Sequence, residues 1–292
     1  MTAPGRSLSG KVCLVTGATA GIGLVTAREL ARQEATVLIS GRNPEKTQAT
    51  VRQIREQTGN ERVDSLLADL SSQAEVRRLA QEFRDRHDRL DVLINNAGAM
   101  FMERLESVDG IERTFALNHL AYFQLTNLLL DRLQAASPSR IINVASDAHR
   151  GATLDFDDLQ GHRRYRGFPA YCRSKLANLL FTYELARRLE GTGITVNALH
   201  PGFVATNFFQ GNGPIGWLMR RASGLVAIAP EAGARTTIYL ATSPEVEGVS
   251  GQYFVKQRPV ESSPKSKVKA AMERLWRVSE DLTGTGPLAA GL

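Results

Sequence analysis

Short runs of consecutive apolar residues alternate along this chain with longer stretches of helical period. VCLV at 12–15 reads as a strand, followed by a helix over 21–33, a strand at 36–40 (TVLIS) and a helix from Pro44. Next come a strand over 63–68, a charged helix over 72–87, a strand at 92–94 and a long helix over 110–133. The second half continues with a strand at 140–146 (RIINVAS), a helix over 170–189 and a strand at 194–199 (ITVNAL). A final helix is expected from Pro230 and a last strand at 252–255 (QYFV). Strands that are apolar at nearly every position are buried on both faces, which calls for a parallel sheet covered by helices on either side. Right-handed crossovers then leave an α/β fold with a doubly wound parallel sheet, of the Rossmann type.

No repeat or linker divides the chain, so one domain over 1–292 is expected, with its core at 10–255. Two segments stand outside the rhythm. Residues 203–229 are rich in glycine and in large apolar groups such as Phe208, Phe209, Trp217 and Met219, and read as an inserted lid over a lipophilic substrate. An oligomer contact and a shallow membrane-surface patch are the competing readings of that insertion. A Gly/Pro/Ala tail from Gly284 is expected to fray.

With 292 residues, 42% of them hydrophobic, the chain can bury a large core without disulfides or a structural metal. Its two cysteines, Cys13 and Cys172, form no ligand pattern; Cys13 reads as a small apolar strand residue, and a reducing compartment is expected. The five histidines show no metal-ligand spacing. His149 is either a pocket-lining group or a loop residue without a role. The net charge of +6 is scattered over helix faces, which argues against nucleic-acid binding. No apolar run reaches the ~20 residues of a membrane span, and the N-terminus lacks a secretory signal, so a cytoplasmic protein is expected.

After the first strand comes Thr16-Gly17-Ala18-Thr19-Ala20-Gly21-Ile22-Gly23, leading into a helix. Glycines there permit a tight turn and close backbone approach to a pyrophosphate seated at the helix N-terminus. The second strand ends in Ser40-Gly41-Arg42, without the carboxylate that binds the ribose hydroxyls of NAD. Arg42 suits the 2′-phosphate of NADP(H), with NAD(H) the less favoured cofactor. Tyr171 and Lys175, four apart on a helix, share one face. A lysine there, together with the charge of an oxidised nicotinamide, favours the phenolate and lowers a pKa that is otherwise near ~10.

The TGxxxGxG spacing, Asn95-Asn96-Ala97-Gly98 after the fourth strand and Tyr171-Cys172-Arg173-Ser174-Lys175 resemble the short-chain dehydrogenase/reductase family over residues 10–255. The resemblance implies a catalytic set of Asn118, Ser146, Tyr171 and Lys175. It implies cofactor contacts from Gly17, Thr19, Gly21, Ile22, Gly23, Asp69, Leu70, Asn96, Ala97, Gly98, Pro201, Gly202, Val204 and Thr206. Tyr171 would move the proton at the substrate oxygen, Ser146 would position that oxygen, and Lys175 would hold the nicotinamide ribose. Asn118 would support a water leading from Lys175 to solvent. A homo-oligomer paired through the helices at 110–133 and 170–189 is also implied.

A narrower likeness, carried by Gly41-Arg42, Asn118-His119-Leu120, Asp158-Leu159 and Glu273-Arg274-Leu275-Trp276, is to the retinol-dehydrogenase-like branch with the WW-domain oxidoreductases. That implies NADP(H) chemistry on a lipophilic carbonyl/alcohol pair as the small-molecule substrate. Ala145-Ser146 departs from the two serines common in that branch. A sugar-nucleotide epimerase would carry TGxxGxxG and a longer C-terminal part. A redox sensor that binds NADP(H) without turnover would tend to lose the Tyr/Lys pair.

Overall fold

The computed structural model of the protein describes residues 7–202 and 229–286. Its strands are β1 Val12–Val15, β2 Thr36–Gly41, β3 Val63–Leu67, β4 Val92–Asn95, β5 Ser139–Val144, β6 Ile194–His200, β7 Gln252–Val255 and β8 Arg258–Pro259. They form one sheet in the order β3-β2-β1-β4-β5-β6-β7-β8. All pair in parallel except β8, which folds back on β7. The helices are α1 Gly21–Arg32, α2 Pro44–Thr58, α3 Gln73–Arg86, α4 Arg113–Phe115, α5 Ala121–Leu128, α6 Leu130–Ala135, α7 Gly167–Arg188, α8 Pro230–Thr242 and α9 Lys269–Thr283.

Successive strand residues point to opposite faces, and each face meets its own helices. Leu14, Leu38, Leu93, Ile141 and Val196 pack against Phe83 of α3, Phe123 of α5 and Phe181 of α7. Cys13, Val15, Val37, Ile94 and Ile142 pack against Leu30 of α1, Ile54 of α2 and Leu240 of α8. The strand order reverses between β1 and β4, which opens a crevice at the carboxyl ends of those strands.

The helix expected over 110–133 is broken. Gly110 takes a left-handed turn (φ 73°), and Glu112 caps the following helix by accepting from the N–H groups of Thr114 and Phe115, both at 2.8 Å. A π-helical segment, Ala116–Leu120, separates α4 from α5, and α5 ends at Leu129 before α6. Such wide turns inside helices are frequently found at functional sites.

The helix at Pro230 is not the last, because α9 follows β8. Trp276 of α9 lies 4.9 Å from the ring of Phe123 and 5.9 Å from that of Phe181, centroid to centroid, with the Arg188 guanidinium 4.1 Å above it. This strip of α5 and α7 belongs to the helical surface through which copies of the chain were expected to pair, and α9 covers it. Gly284 closes α9 in a left-handed conformation, and the tail expected from there is described only as far as residue 286. Among the described residues no helix is long and apolar enough to cross a membrane.

His119, fully buried between α5 and α9, sits 2.9 Å from Ser279 Oγ. Because the Ser279 hydroxyl donates to Leu275 O at 2.8 Å, the imidazole Nε2–H is the donor to Ser279. Burial pushes this imidazole down to about 3, so it is neutral at physiological pH. Ser279→Ala strands a buried N–H and is expected to lower stability by about 1–3 kcal/mol in urea unfolding, with turnover unchanged.

Candidate active site

The crevice between β1 and β4 opens into a cleft of about 910 Å³ that runs from the glycine loop to the start of α7. Thr16 pins the loop to its neighbour: its hydroxyl donates to Ile94 O and accepts from the N–H groups of Asn96 (2.8 Å) and Ala97 (3.1 Å). Asn96 returns the contact, donating from Nδ2 to Thr16 O at 2.7 Å and Gly17 O at 3.2 Å. Glycine is required at two places. A Cβ on Gly17, which has φ 64°, would lie 2.8 Å from Ala97 Cα, and one on Gly23 would lie 2.6 Å from Asn96 Nδ2. Asn43 caps α2 and Ser72 caps α3 by their side chains, whereas the first turn of α1 has no side-chain cap and no acidic residue. Its free N–H groups are therefore available to an anion.

At the end of β2, a Cβ on Gly41 would fall 2.2 Å from Thr47 Oγ1 and 2.6 Å from Thr19 Cγ2, so a side chain there would have to displace both threonines. Arg42, Lys46 and Arg113 line the same end of the cleft, with Arg42 and Arg113 at 3.9 Å and 3.8 Å from Asp69 Oδ2. Partial burial opposes ionisation of Asp69. The N–H and hydroxyl of Ser71, with the two arginines, nonetheless hold its carboxyl below the usual range.

The other end of the cleft is set by α7. Asn143 of β5 donates to Thr182 Oγ1 at 2.9 Å, and Thr182 in turn donates to Asn178 O at 2.7 Å, which fixes the helix against the central strands. About two and three turns before Thr182 on that helix stand Lys175 and Tyr171. Lys175 Nζ donates to Val144 O at 2.8 Å and lies 5.7 Å from the centre of the Tyr171 ring. Ser146, two residues beyond β5, lies beside the Tyr171 phenol and pulls its pKa down, and it also caps the 3-10 turn Asp147–Gly151 by accepting from Ala148 N at 3.2 Å.

Burial pushes the Tyr171 phenol up, against the pull of the Ser146 hydrogen bond, and pushes the Lys175 ammonium down to about 7. The lowering of Tyr171 expected from Lys175 is thus missing in the chain alone. The lysine faces the ring rather than the hydroxyl, and its own charge is disfavoured by burial.

The structure brings Gly17, Thr19, Ile22, Gly23, Arg42, Asp69, Leu70, Asn96, Ala97, Gly98, Ser146, Tyr171, Lys175, Pro201 and Gly202 onto one cleft. Gly21 opens α1 with φ 57°. Asn118 lies beneath the cleft, fully buried. Both its amide hydrogens are taken, by Ala99 O (2.9 Å) and Ser174 Oγ (3.0 Å), and its Oδ1 accepts from Ala99 N at 2.9 Å. This side chain ties the loop after β4 to α7. Val204, Thr206 and all but the last residue of the lid expected over 203–229 lie outside the described residues.

The sequence reading missed Lys46, Met102, Arg113, Phe168 and His200, all of which line the cleft. Arg113 and Lys46 looked like ordinary helix-surface charges, and no local signal separates them from such charges. His149 does not line the cleft; it is fully buried beside Ser146.

A family model described as short chain dehydrogenase matches residues 11–214. Human retinol dehydrogenase 13 is 42% identical, over 95% of this chain and 86% of its own length. Among solved structures, an uncharacterised protein from Mycobacterium paratuberculosis superposes with a TM-score of 0.80 at 35% identity, covering 98% of both chains. The Pseudomonas aeruginosa RhlG/NADP active-site complex follows at a TM-score of 0.69 and 31% identity, covering 87% of this chain and 97% of its own. With the glycine loop and the Ser146, Tyr171 and Lys175 side chains on one cleft, the chain belongs to the short-chain dehydrogenase family and is an oxidoreductase acting on CH–OH donors.

Proposed function

We propose that this protein uses NADP(H) to interconvert a carbonyl and an alcohol on a lipophilic aldehyde, ketone or alcohol. The observation that carries the reading is the gathering of Ser146, Tyr171 and Lys175 on the cleft that begins at the glycine loop. The glycines that line the cleft and the uncapped α1 fit a dinucleotide along it. When bound, the nicotinamide ring supplies or takes up the hydride.

Each residue then has a defined task. Tyr171, kept neutral by burial, donates a proton to the carbonyl oxygen in reduction and removes it from the alcohol in oxidation. Ser146 holds that oxygen by its hydroxyl. Lys175, within reach across the bare Gly98, binds the ribose hydroxyls, and Asn118 keeps the Gly98-Ala99 backbone in place. Met100, Phe101, Met102, Leu117 and Phe168 give the substrate end an apolar wall, which fits a lipophilic partner such as the retinoids named for the human relative.

The test is consumption of NADPH and of NADH, followed by the absorbance of the reduced nicotinamide, against a panel of aldehydes and ketones that includes retinal. Turnover with NADPH on apolar carbonyls supports the reading. Tight NADPH binding without turnover would favour a sensor instead. Arg42, two-thirds exposed at the adenosine end, is the residue assigned to the 2′-phosphate. Arg42→Ala is expected to weaken NADPH binding about 10- to 100-fold in a fluorescence titration and to leave NADH binding nearly unchanged. An equal loss for both cofactors would place the 2′-phosphate elsewhere.

A further inference from the structure

Ser146 stands beyond the end of β5, on a turn that the sheet ladder no longer holds. A buried histidine supplies the missing support. His149, 0% exposed, has Nδ1 at 2.6 Å from Ser146 O and Nε2 at 3.0 Å from Ser263 N. A carbonyl oxygen can only accept and a peptide N–H can only donate, so the ring is the neutral tautomer with its hydrogen on Nδ1. Its face is fixed as well: the Tyr253 ring meets it edge-on with centroids 5.1 Å apart, and the Tyr253 hydroxyl donates to Asp147 Oδ1 at 3.1 Å.

The partner segment reaches α7 too. The Tyr183 hydroxyl donates to Ser262 Oγ at 2.7 Å, and Ser266 is hydrogen-bonded to both Ser262 and Ser263. Residues 262–266 therefore clasp the Ser146 turn through His149 and the Tyr171 helix through Tyr183. The two halves of the Ser146–Tyr171 pair are held in register by one small polar cluster remote from the cofactor.

We propose that His149 is a positioning residue for the reaction: by holding the Ser146 carbonyl and joining it to the 262–266 clasp, it keeps the Ser146 hydroxyl on the Tyr171 phenol. This rests on the reading that Ser146 and Tyr171 act together at the substrate oxygen. It adds a residue that touches neither substrate nor cofactor. Small displacements of a hydrogen-bonding group near the reacting atoms carry rate penalties out of proportion to their effect on binding.

Two substitutions separate the two bonds of His149. His149→Asn keeps an N–H near the Nδ1 position and loses the acceptor for Ser263. His149→Gln keeps an acceptor near the Nε2 position and loses the donor to Ser146. With the carbonyl on which the wild type is most active, His149→Gln is expected to lower kcat about 10- to 100-fold, with NADPH affinity and melting temperature close to wild type. His149→Asn should melt earlier and keep kcat within a few-fold.

Equal kcat losses in the two variants, or none in either, would overturn the proposal, since a purely structural histidine scales activity with stability. A measurement on the wild type stands beside them. Imidazole ¹⁵N spectra should show His149 protonated at Nδ1 alone, and a ring protonated at Nε2 sinks the assignment whatever the variants do. If the wild type turns over no carbonyl at all, the reading of the reaction fails and this inference falls with it. A turning-over wild type with an unaffected His149→Gln refutes the inference alone.

Discussion

Tyr171→Phe is expected to lower kcat by ~10²- to 10⁴-fold while NADPH still binds, the range associated with removing a general acid. The substitution takes away one oxygen and leaves a ring that is already 9% exposed and packed in α7, so the fold has no reason to change. No neighbour can take over the proton. Tyr122 also has Lys175 Nζ 5.7 Å from its ring centre, but it is fully buried, its phenol is pushed up by that burial, and it is not on the cleft. Ser146 is too weak an acid, and Lys175 is occupied by Val144 O. The check is steady-state turnover beside a fluorescence titration of NADPH. If the variant keeps kcat within about tenfold of wild type while binding is normal, Tyr171 is not the group that moves the proton.

The parts of the molecule that could be read from the sequence are those whose signal is local. Val12–Val15 and Val92–Asn95 are apolar at almost every position, which only a strand buried on both faces requires. Gly17 and Gly23 announce a backbone that must approach something closely, and the structure shows that each would clash with the Asn96-Ala97 segment if it carried a side chain. Tyr171 and Lys175 declare a shared helix face by spacing alone.

What escaped depends on distant partners. The break before Arg113 is fixed by Glu112, whose carboxylate also accepts from the Tyr165 hydroxyl at 3.1 Å, a partner 53 positions away. The π-helical Ala116–Leu120 has no sequence mark of its own. The two bonds of His149 join it to Ser146 and to Ser263, 114 positions away, and nothing near residue 149 indicates the second. Helix α9 is different, because Met272, Leu275, Trp276, Ser279 and Leu282 carry a helical period that ends at Gly284. That signal is local and legible, and it lies beyond the strand at 252–255 that closes the parallel sheet.

Lys175→Met is expected to lower kcat about 10²-fold or more and to change how stability depends on pH in the cofactor-free protein. Burial holds the Lys175 pKa at about 7 in the fold, against 10.5 for an ordinary lysine. Between those values the unfolded chain keeps a proton that the folded chain has released. Stability therefore rises with pH across that window, by up to ~1.4 kcal/mol per unit for one proton, and the penalty for burying the charge is complete below it. Methionine has no such proton, so urea unfolding of wild type and variant at pH 7 and pH 9.5 should show the wild-type gain shrink in Lys175→Met. Parallel curves would mean that Lys175 keeps its charge inside the fold through its bond to Val144 O. It would then be a permanent cation beside Tyr171 and would lower the phenol without help from the nicotinamide, so that alcohol oxidation would begin at a lower pH. A shrinking gain instead means that Lys175 loses its charge as the pH rises above about 7 in the unloaded site, leaving Tyr171 a weak acid that depends on the bound cofactor for its activation.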